Sequence, residues 1–312
     1  MIHSSKISLR SSMVAARAAI IISIVALLFT GCTSKDKDSH KVSVVAHRGG
    51  AALAPENTLA AFALALEYDV DAVELDIHLS KDGSLMVIHD PMLLRLTGKP
   101  GAISDYTAEE LAQFDVASTF KGGKHYFGVQ NMPTLSEVIT FVEETATRPI
   151  QYQIEVKVKD DGSRYEGIEQ KLIDTLKEYA ILDRTIAISF DFPTLGVLGK
   201  LEPNLQLGAL ISKDYLSSKG ITGPETVAKN MQALNVEYVG IKSDYLSQVL
   251  YDQFRSHDLG VGVWTVDDTI NMRKFSGMGV DFITTNRPDL LNKVLDRKVI
   301  ATANSSNSDW YL

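Results

Sequence analysis

The chain has 312 residues, of which 45% are hydrophobic and 22% charged, the composition of a globular protein with one large domain or two ordinary ones. Its formal net charge of −8 argues against a nucleic acid or an anionic membrane as a partner recognised by bulk electrostatics. The sequence indicates no protein partner. The single cysteine, Cys32, rules out an intramolecular disulfide framework.

The first 31 residues have the pattern of a bacterial export signal. Residues 1–17 carry three Lys or Arg side chains and no acid, and residues 18–29 form an apolar run that is short for a bilayer span. The Phe29-Thr30-Gly31-Cys32 motif resembles a lipobox, in which the cysteine is lipidated and becomes the mature N terminus. Residues 1–31 are therefore predicted to be a lipoprotein signal peptide; a plain secretory signal and an uncleaved anchor are the alternatives.

The stretch at 32–41 is polar and charged and has no apolar periodicity, which predicts a flexible tether. Together the two segments predict an exported bacterial lipoprotein that is anchored to a membrane through Cys32. The globular part would lie on the periplasmic face or at the cell surface, and it would begin at Val42.

From residue 42 onward, apolar strand-like runs alternate with segments of helical periodicity. The apolar runs predict strands at 42–46, 72–79, 85–89, 150–157, 185–190, 206–211, 237–241, 260–265 and 280–284. The helical segments lie at 57–68, 107–114, about 133–144, 165–179, 191–200, 224–234, 247–257 and 267–276, with a last helix from near Pro288. Asn57 or Thr58 is expected to cap the first helix.

This alternation predicts parallel strands joined by helical crossovers. The strand at 85–89 follows Asp82-Gly83, a hairpin signal, so it is interpreted as an extra hairpin arm or as part of an irregular excursion at about 91–132. The remaining eight strands fit an α/β fold, a (β/α)8 TIM barrel over residues 42–300, followed by a tail at 301–312. A doubly wound sheet is the competing architecture, which the lack of a GxGxxG motif after the first strand disfavours.

Carboxylates cluster on the predicted strands. Glu74, Asp76 and His78 share one face of their strand, and Glu155 and Lys157 share one face of a neighbouring strand, near the end where barrel active sites lie. Neighbouring carboxylates in a half-buried place require a cation, so the pattern fits a metal site or a salt-bridged layer of the barrel. An all-oxygen ligand set favours one divalent metal, Ca²⁺ or Mg²⁺, over Zn²⁺. His78 is interpreted as a polar neighbour in the wall.

Two histidines end apolar runs, His47 with Arg48 beside it and His89 with Asp90 beside it. A single histidine at a strand end is usually structural, but a pair can exchange protons near neutral pH. Arg48 and Lys157 would neutralise phosphoryl oxygens. A metal, two histidines and two fixed cations together suggest displacement at phosphorus.

Ten short motifs occur in one order across nearly the whole predicted mature chain. They are AHRGG (46–50), PENT (55–58), ELD (74–76), DG (82–83), HD (89–90), RLTG (95–98), MPTLSEV (132–138), IEVK (154–157), VWTV (263–266) and GVDFITTNRPD (279–289). Because it has these ten motifs in this order, the chain resembles the glycerophosphodiester phosphodiesterase family. The resemblance implies a (β/α)8 barrel with a small insertion after the second barrel strand, which suits the irregular region at about 91–132.

The resemblance also implies that the chain is an enzyme, a phosphoric diester hydrolase. Its small-molecule substrates would be deacylated phospholipids, such as glycerophosphocholine or glycerophosphoethanolamine, which it would convert to glycerol 3-phosphate and an alcohol. The resemblance further implies that His47 and His89 are a general acid/base pair and that Arg48 and Lys157 bind the phosphate. One divalent metal, commonly Ca²⁺ or Mg²⁺, would be bound by Glu74, Asp76 and Glu155. Phe190 and Trp264 would form the pocket on the glycerol side of the substrate.

Phe282 and Asn286 depart from the family's usual residues, and neither is expected to contact the catalytic set. Two other interpretations compete: a phospholipase-like phosphodiesterase that acts on intact lipids, and a catalytically inactive binding lipoprotein. The region at 91–132 has no apolar membrane-binding stretch, and all five metal-binding and histidine positions are intact, which disfavours both.

Overall fold

A computed structural model of the chain describes residues 41–122 and 127–297. Contacts divide the chain into two compact units, Met1–Lys41 and Val42–Leu312, and the barrel belongs to the second. The predicted signal peptide, Cys32, the tether up to residue 40 and the tail at 301–312 lie outside the described residues, so these stay predictions. Within the described ranges, every helix falls short of the length and apolarity that a bilayer span requires.

The apolar runs of the described residues form nine strands. They are β1 Ser43–Ala46, β2 Ala72–Leu79, β3 Leu85–Val87, β4 Gln151–Val156, β5 Thr185–Ser189, β6 Gln206–Ile211, β7 Tyr238–Lys242, β8 Gly260–Trp264 and β9 Phe282–Thr285. Eight of them pair in parallel in the order β1-β2-β4-β5-β6-β7-β8-β9, and β1 also pairs with β9. This pairing closes the sheet, which confirms the prediction of a (β/α)8 barrel.

Helices follow the barrel strands, as the alternation predicts. They are α1 Leu59–Glu67, α2 Leu94–Thr97, α3 Ala108–Leu111, α4 Leu135–Thr145, α5 Ile168–Glu178, α6 Phe192–Leu201, α7 Lys213–Leu216, α8 Pro224–Gln232, α9 Gln248–Ser256, α10 Thr269–Met278 and α11 Pro288–Val294, with short 3₁₀ turns at His47–Gly49, Ile103–Asp105 and Leu182–Arg184. Of the two residues expected to cap α1, Thr58 does so, because its hydroxyl accepts from the Ala61 amide at 3.2 Å.

Side-chain alternation along the strands separates two apolar layers. Outward-facing residues such as Leu75, Ile77 and Ile154 pack with the helices in the main core. A smaller cluster fills the barrel interior: Val45, Ala72, Ile186, Ile188, Leu210 and Phe282. Glu74 and Asp76 alternate with the outward-facing residues of β2, so they lie on the interior side.

The hairpin of β2 and β3 and the excursion that follows it form a side unit of the barrel. β3 pairs antiparallel with β2 alone among the strands, which confirms its interpretation as a hairpin arm. The excursion carries α2, α3 and a small apolar core of its own: Met86, Ile88, Leu93, Leu96, Ile103, Leu111, Val116 and Met132. This element therefore packs as a small insertion after the second barrel strand.

The observed elements differ from the predicted ones mainly at their ends. The strand predicted at 85–89 ends at Val87, and the one predicted at 280–284 runs over Phe282–Thr285. Just before the latter strand, the Asp281 carboxylate accepts from the Val261 amide at 2.6 Å. The short helices α2 and α7 were not predicted, since four residues carry no helical periodicity.

The Gly49 backbone is tightly constrained, and this generates a stability prediction. Gly49 has φ +79°, and a β-carbon there would lie 2.7 Å from Ala61 Cβ on α1. Gly162 has the same φ of +79° with nothing within 4 Å of the equivalent position. We expect Gly162→Ala to lower the free energy of unfolding by about 1 kcal/mol through backbone strain alone. Gly49→Ala should cost about 1–3 kcal/mol more through overpacking.

Urea unfolding of both variants and the native chain measures this difference directly. Equal losses at the two positions would contradict the close packing of the His47–Gly49 turn on α1.

Candidate active site

Three carboxylates converge near the carboxyl end of two paired barrel strands. Glu74 and Asp76 belong to β2 and Glu155 to β4, and the strand register sets Asp76 opposite Glu155. All three residues are buried, with exposed fractions of 3%, 1% and 7%. Their carboxylate oxygens lie within 4.8 Å of one another. The barrel register therefore builds one compact acidic cluster from two distant segments of the chain.

Two basic side chains partly neutralise this cluster. Lys157 Nζ lies 2.9 Å from Asp76 Oδ1 and 2.6 Å from Glu155 Oε1. Arg48 Nε lies 3.4 Å from Asp76 Oδ2, and its Nη1 donates to Glu56 at 3.0 Å. Burial opposes ionisation of Asp76, but Lys157 and Arg48 hold its pKa below the ordinary value. The two predicted phosphate-binding residues thus contact carboxylates here, and their role toward phosphate stays a prediction.

The remaining negative charge of the cluster is not balanced by these cations. Burial, together with Asp76 and Glu155, raises the pKa of Glu74 well above its ordinary value. Burial also raises the pKa of Glu155 to about 7, although Lys157 opposes this shift. Oxygen donors that would otherwise retain a proton, and that lie within 4.8 Å of one another, fit a hard divalent cation. Glu74, Asp76 and Glu155 could therefore hold the predicted metal.

The His47–Gly49 turn brings two functional residues to the acidic cluster. Arg48 adopts a left-handed backbone with φ +51°, and its amide donates to Glu74 Oε2 at 2.9 Å. His47 Nε2 lies 4.0 Å from the same Glu74 oxygen, and His47 Nδ1 lies 2.7 Å from Asn286 Oδ1. Burial and the charge of Arg48 lower the pKa of His47 to about 4. The His47 imidazole is therefore neutral near pH 7.

His89 reaches the same pocket with a different kind of partner. Its Nδ1 lies 2.6 Å from Asp90 Oδ1. Arg95 of the insertion donates to Asp90 Oδ2 at 2.5 Å and to Glu56 Oε1 at 2.7 Å. Burial lowers the pKa of His89, and Lys157 acts in the same direction. A carboxylate thus orients His89, whereas an amide orients His47.

Both predicted pocket aromatics lie beside the polar groups. Phe190 and Trp264 meet edge to face with ring centroids 5.6 Å apart. Together with Ile188 and Leu210 they form the apolar part of the lining of a cavity that His47 and Glu74 also line. The cavity is therefore lined by charged and by apolar side chains, the latter called here the apolar wall, as a site that orients a small polar molecule requires.

Two asparagines contact the site in ways that the sequence did not reveal, whereas the place of His78 is the one predicted. The expectation that Asn286 does not contact the catalytic set is wrong, because barrel closure places it against His47. Asn57 is 2% exposed, has φ +58° and donates to Asp76 Oδ2 at 2.9 Å. Its signal was present, since asparagine tolerates a left-handed backbone in a turn. His78 lies in the wall, where it contacts the Tyr165 hydroxyl and the His89 carbonyl.

The chain is similar to proteins of one family. The model of the glycerophosphoryl diester phosphodiesterase family matches residues 47–290. A glycerophosphodiester phosphodiesterase of Caldanaerobacter subterraneus subsp. tengcongensis is 34% identical over 253 residues, which cover 80% of this chain and 96% of that protein. One of Bacillus altitudinis is 32% identical over 251 residues, with coverage of 80% and 97%. The crystal structure of a glycerophosphodiester phosphodiesterase from Thermotoga maritima matches with a TM-score of 0.64 and 26% identity, covering 82% of this chain and 99% of that chain.

The raised pKa of Glu155 predicts that protons compete with a divalent cation for the cluster. Because this pKa is about 7, most Glu155 carboxyls hold a proton at pH 6 and few do at pH 8. Binding of Ca²⁺ or Mg²⁺ should therefore release more protons per cation at pH 6 than at pH 8, with Glu74 adding to the release because its pKa is also raised, and affinity should fall as the pH falls. Calorimetry in buffers of different ionisation enthalpy measures the proton count.

Two Glu→Gln variants complete this experiment, one at the cluster and one as its control. Glu155→Gln should lower both affinity and proton release, while Glu225→Gln, on the exposed face of α8, should change neither. Equal proton release at pH 6 and pH 8 in the native chain would contradict the prediction.

Proposed function

The chain belongs to the glycerophosphoryl diester phosphodiesterase family, and from this we propose that it hydrolyses glycerophosphodiesters with one divalent metal and a histidine pair. The substrates would be deacylated phospholipids such as glycerophosphocholine or glycerophosphoethanolamine, and the products glycerol 3-phosphate and an alcohol. The observation that carries the proposal is a cluster of three buried carboxylates, two of which, Glu74 and Glu155, line one cavity together with the two histidines. The metal would be Ca²⁺ or Mg²⁺, since the donors are all oxygens.

The acidic cluster and its cations would prepare the phosphodiester for attack. When bound, the metal would supply Lewis-acid polarisation of a phosphoryl oxygen. Asn57 and Lys157 hold Asp76 in place at 2.9 Å each, so the ligand oxygens are oriented before the substrate arrives. Arg48 lies at the same cavity and would add positive charge beside the phosphoryl group.

The partners of the two histidines support a division of labour. His47 is neutral and has Nδ1 occupied by Asn286, so its Nε2 would accept a proton from the attacking hydroxyl. Water as the nucleophile would give glycerol 3-phosphate directly, whereas the glycerol hydroxyl would first give a cyclic phosphate, which a water would then open to glycerol 3-phosphate. Asp90 would stabilise an imidazolium on His89, which would protonate the departing alcohol oxygen as the phosphorus–oxygen bond breaks. Proton removal and proton delivery would then occur on separate groups.

The apolar wall supports a place for the glycerol group. Trp264 Nε1 is buried without a hydrogen-bond partner among the described residues, and Trp264 lines the cavity with Phe190. A substrate hydroxyl would satisfy this donor, and carbon atoms of glycerol would contact the two rings.

Release of glycerol 3-phosphate from a panel of glycerophosphodiesters tests the proposed reaction. The purified full-length chain should release it with Ca²⁺ or Mg²⁺ and lose this activity with a chelator. Glu74→Gln should abolish turnover because it removes a metal-ligating charge. His47→Asn and His89→Asn should each lower the rate by about 10²–10⁴.

His257→Asn is the matched control, because His257 lies at the end of α9 with its Nδ1 on the Gln253 carbonyl, 2.8 Å away. The His257→Asn variant should release glycerol 3-phosphate at the rate of the native chain. Turnover of intact phospholipids alone would instead indicate a lipid phosphodiesterase, and unchanged activity of Glu74→Gln would refute the metal assignment.

The N-terminal motif supports a second proposal, that Cys32 carries a lipid and tethers the enzyme to a membrane of a bacterial envelope. The motif is Phe29-Thr30-Gly31-Cys32, preceded by a basic segment and an apolar run. A soluble substrate would then be hydrolysed outside the cytoplasm.

Cys32→Ser should move the protein from the membrane fraction to the soluble fraction and leave kcat unchanged, because Cys32 lies outside the barrel unit. Fractionation followed by the glycerol 3-phosphate assay measures both properties. Retention of the Cys32→Ser protein in the membrane fraction would show that the anchor is not at this cysteine.

A further inference from the structure

Barrel closure places two polar residues, Asn286 and Asp267, one behind the other on the Nδ1 side of His47. Asn286 follows β9, and its Oδ1 lies 2.7 Å from His47 Nδ1. On its other side, Asn286 Nδ2 donates to Asp267 Oδ2 at 2.7 Å. Asp267 follows β8, and its Oδ1 also accepts from the Asn286 amide at 2.8 Å and from the Thr285 hydroxyl at 3.2 Å. The Asp267 carboxylate is thus held by the backbone and side chains of the next strand end.

The hydrogen-bonding capacity of these groups leaves one consistent arrangement. An ionised carboxylate only accepts hydrogen bonds, so the amide nitrogen of Asn286 must face Asp267. The amide oxygen must then face His47, and because that oxygen only accepts, His47 Nδ1 must carry the hydrogen. Nε2 of the neutral ring is left with its lone pair, on the side where Glu74 Oε2 lies 4.0 Å away.

We propose that Asp267 and Asn286 are positioning residues that select the tautomer and the ring orientation of His47. Neither residue is placed to act as an acid or base on substrate; Asp267 acts through Asn286, and Asn286 acts through His47. The consequence for catalysis rests on the proposed function, because only a base with its free lone pair on Nε2 can accept a proton at the cavity. The tautomer itself is a property of the chain that does not depend on any activity.

An amide is suited to this task beside an acidic cluster. His89 contacts the Asp90 carboxylate directly, at 2.6 Å. His47 lies beside Glu74, so a carboxylate in direct contact with its Nδ1 would add negative charge to a region that already holds three buried carboxylates. Asn286 supplies the acceptor without the charge, and Asp267 fixes the amide from a more exposed position.

Long-range ¹H–¹⁵N spectra of the full chain test the tautomer directly. The His47 signals are identified by their loss in His47→Gln, and the spectra are recorded near pH 7 with and without added Mg²⁺. We expect a protonated-type Nδ1 signal and an unprotonated-type Nε2 signal in the native chain. Asn286→Leu, which removes the acceptor at similar size, and Asp267→Asn, which frees the amide to rotate, should both increase the Nε2–H form.

Asp268→Asn provides the matched control. Asp268 is the next residue along the chain and caps α10 through the Ile270 and Asn271 amides, with no bond to Asn286. It should leave the His47 signals unchanged. With glycerophosphodiester substrate, Asp267→Asn and Asn286→Leu should lower kcat by about 10- to 100-fold with little change in KM, while Asp268→Asn should not lower it.

The outcomes separate this proposal from the proposed function. An Nε2–H tautomer in the native chain, or an unchanged tautomer in both Asp267→Asn and Asn286→Leu, would overturn the positioning role even if the enzyme is active. An Nδ1–H tautomer that both variants lose would support it even if no glycerophosphodiester is hydrolysed. Thermal unfolding of each variant verifies that the chain is folded, and either variant alone suffices if the other does not fold.

Discussion

Three carboxylates buried at the mouth of one barrel impose the constraint on which the rest of the site depends. An uncompensated buried charge costs several kcal/mol, so the surrounding residues must supply positive charge and hydrogen bonds. Lys157 contacts two of the carboxylates, Arg48 approaches Asp76, and the Arg48 amide donates to Glu74. Even with these contacts, the pKa of Glu155 is raised to about 7, so ionising this buried carboxyl still costs free energy. A divalent cation bound at the cluster would offset that cost.

Barrel closure is the second requirement, because it brings the first and last strands of the described chain together beside the cavity that His47 lines. β1 pairs with both β2 and β9. His47 therefore has Glu74 on one side and Asn286, which is 239 residues away in sequence, on the other. An open doubly wound sheet would not bring the first and last strands together, so the closed architecture and the orientation of His47 are linked.

Much of the site could be predicted from the sequence, because its information is local. Alternation along single strands places Glu74 with Asp76, and Glu155 with Lys157, and parallel neighbours then bring the carboxylates together. The contacts of Asn286 and Asp267 could not be predicted in this way, since they depend on the register with which the barrel closes. The sequence left open whether Lys157 pairs with the carboxylates or faces a phosphate, because spacing identifies a shared face and does not say which partner a flexible side chain reaches. The predicted ends of two strands differ from those at Val87 and Phe282 by two residues, because an apolar run continues past the point where pairing with the neighbouring strand stops.

The insertion then connects the two histidines. Arg95 bridges Asp90, which orients His89, and Glu56, which also accepts from Arg48 beside His47. An exposed ion pair contributes little stability, so stability alone gives a weak reason for this arrangement. Arginine does, however, fix the geometry of the carboxylates that it contacts through two nitrogens. A single cation from the insertion can thus fix the position of His89 relative to the His47–Gly49 turn, although β1 and β3 are joined only through β2. The distance between the two histidines therefore depends on the insertion as well as on the barrel strands, and in the proposed reaction the insertion would help to set the acid–base geometry.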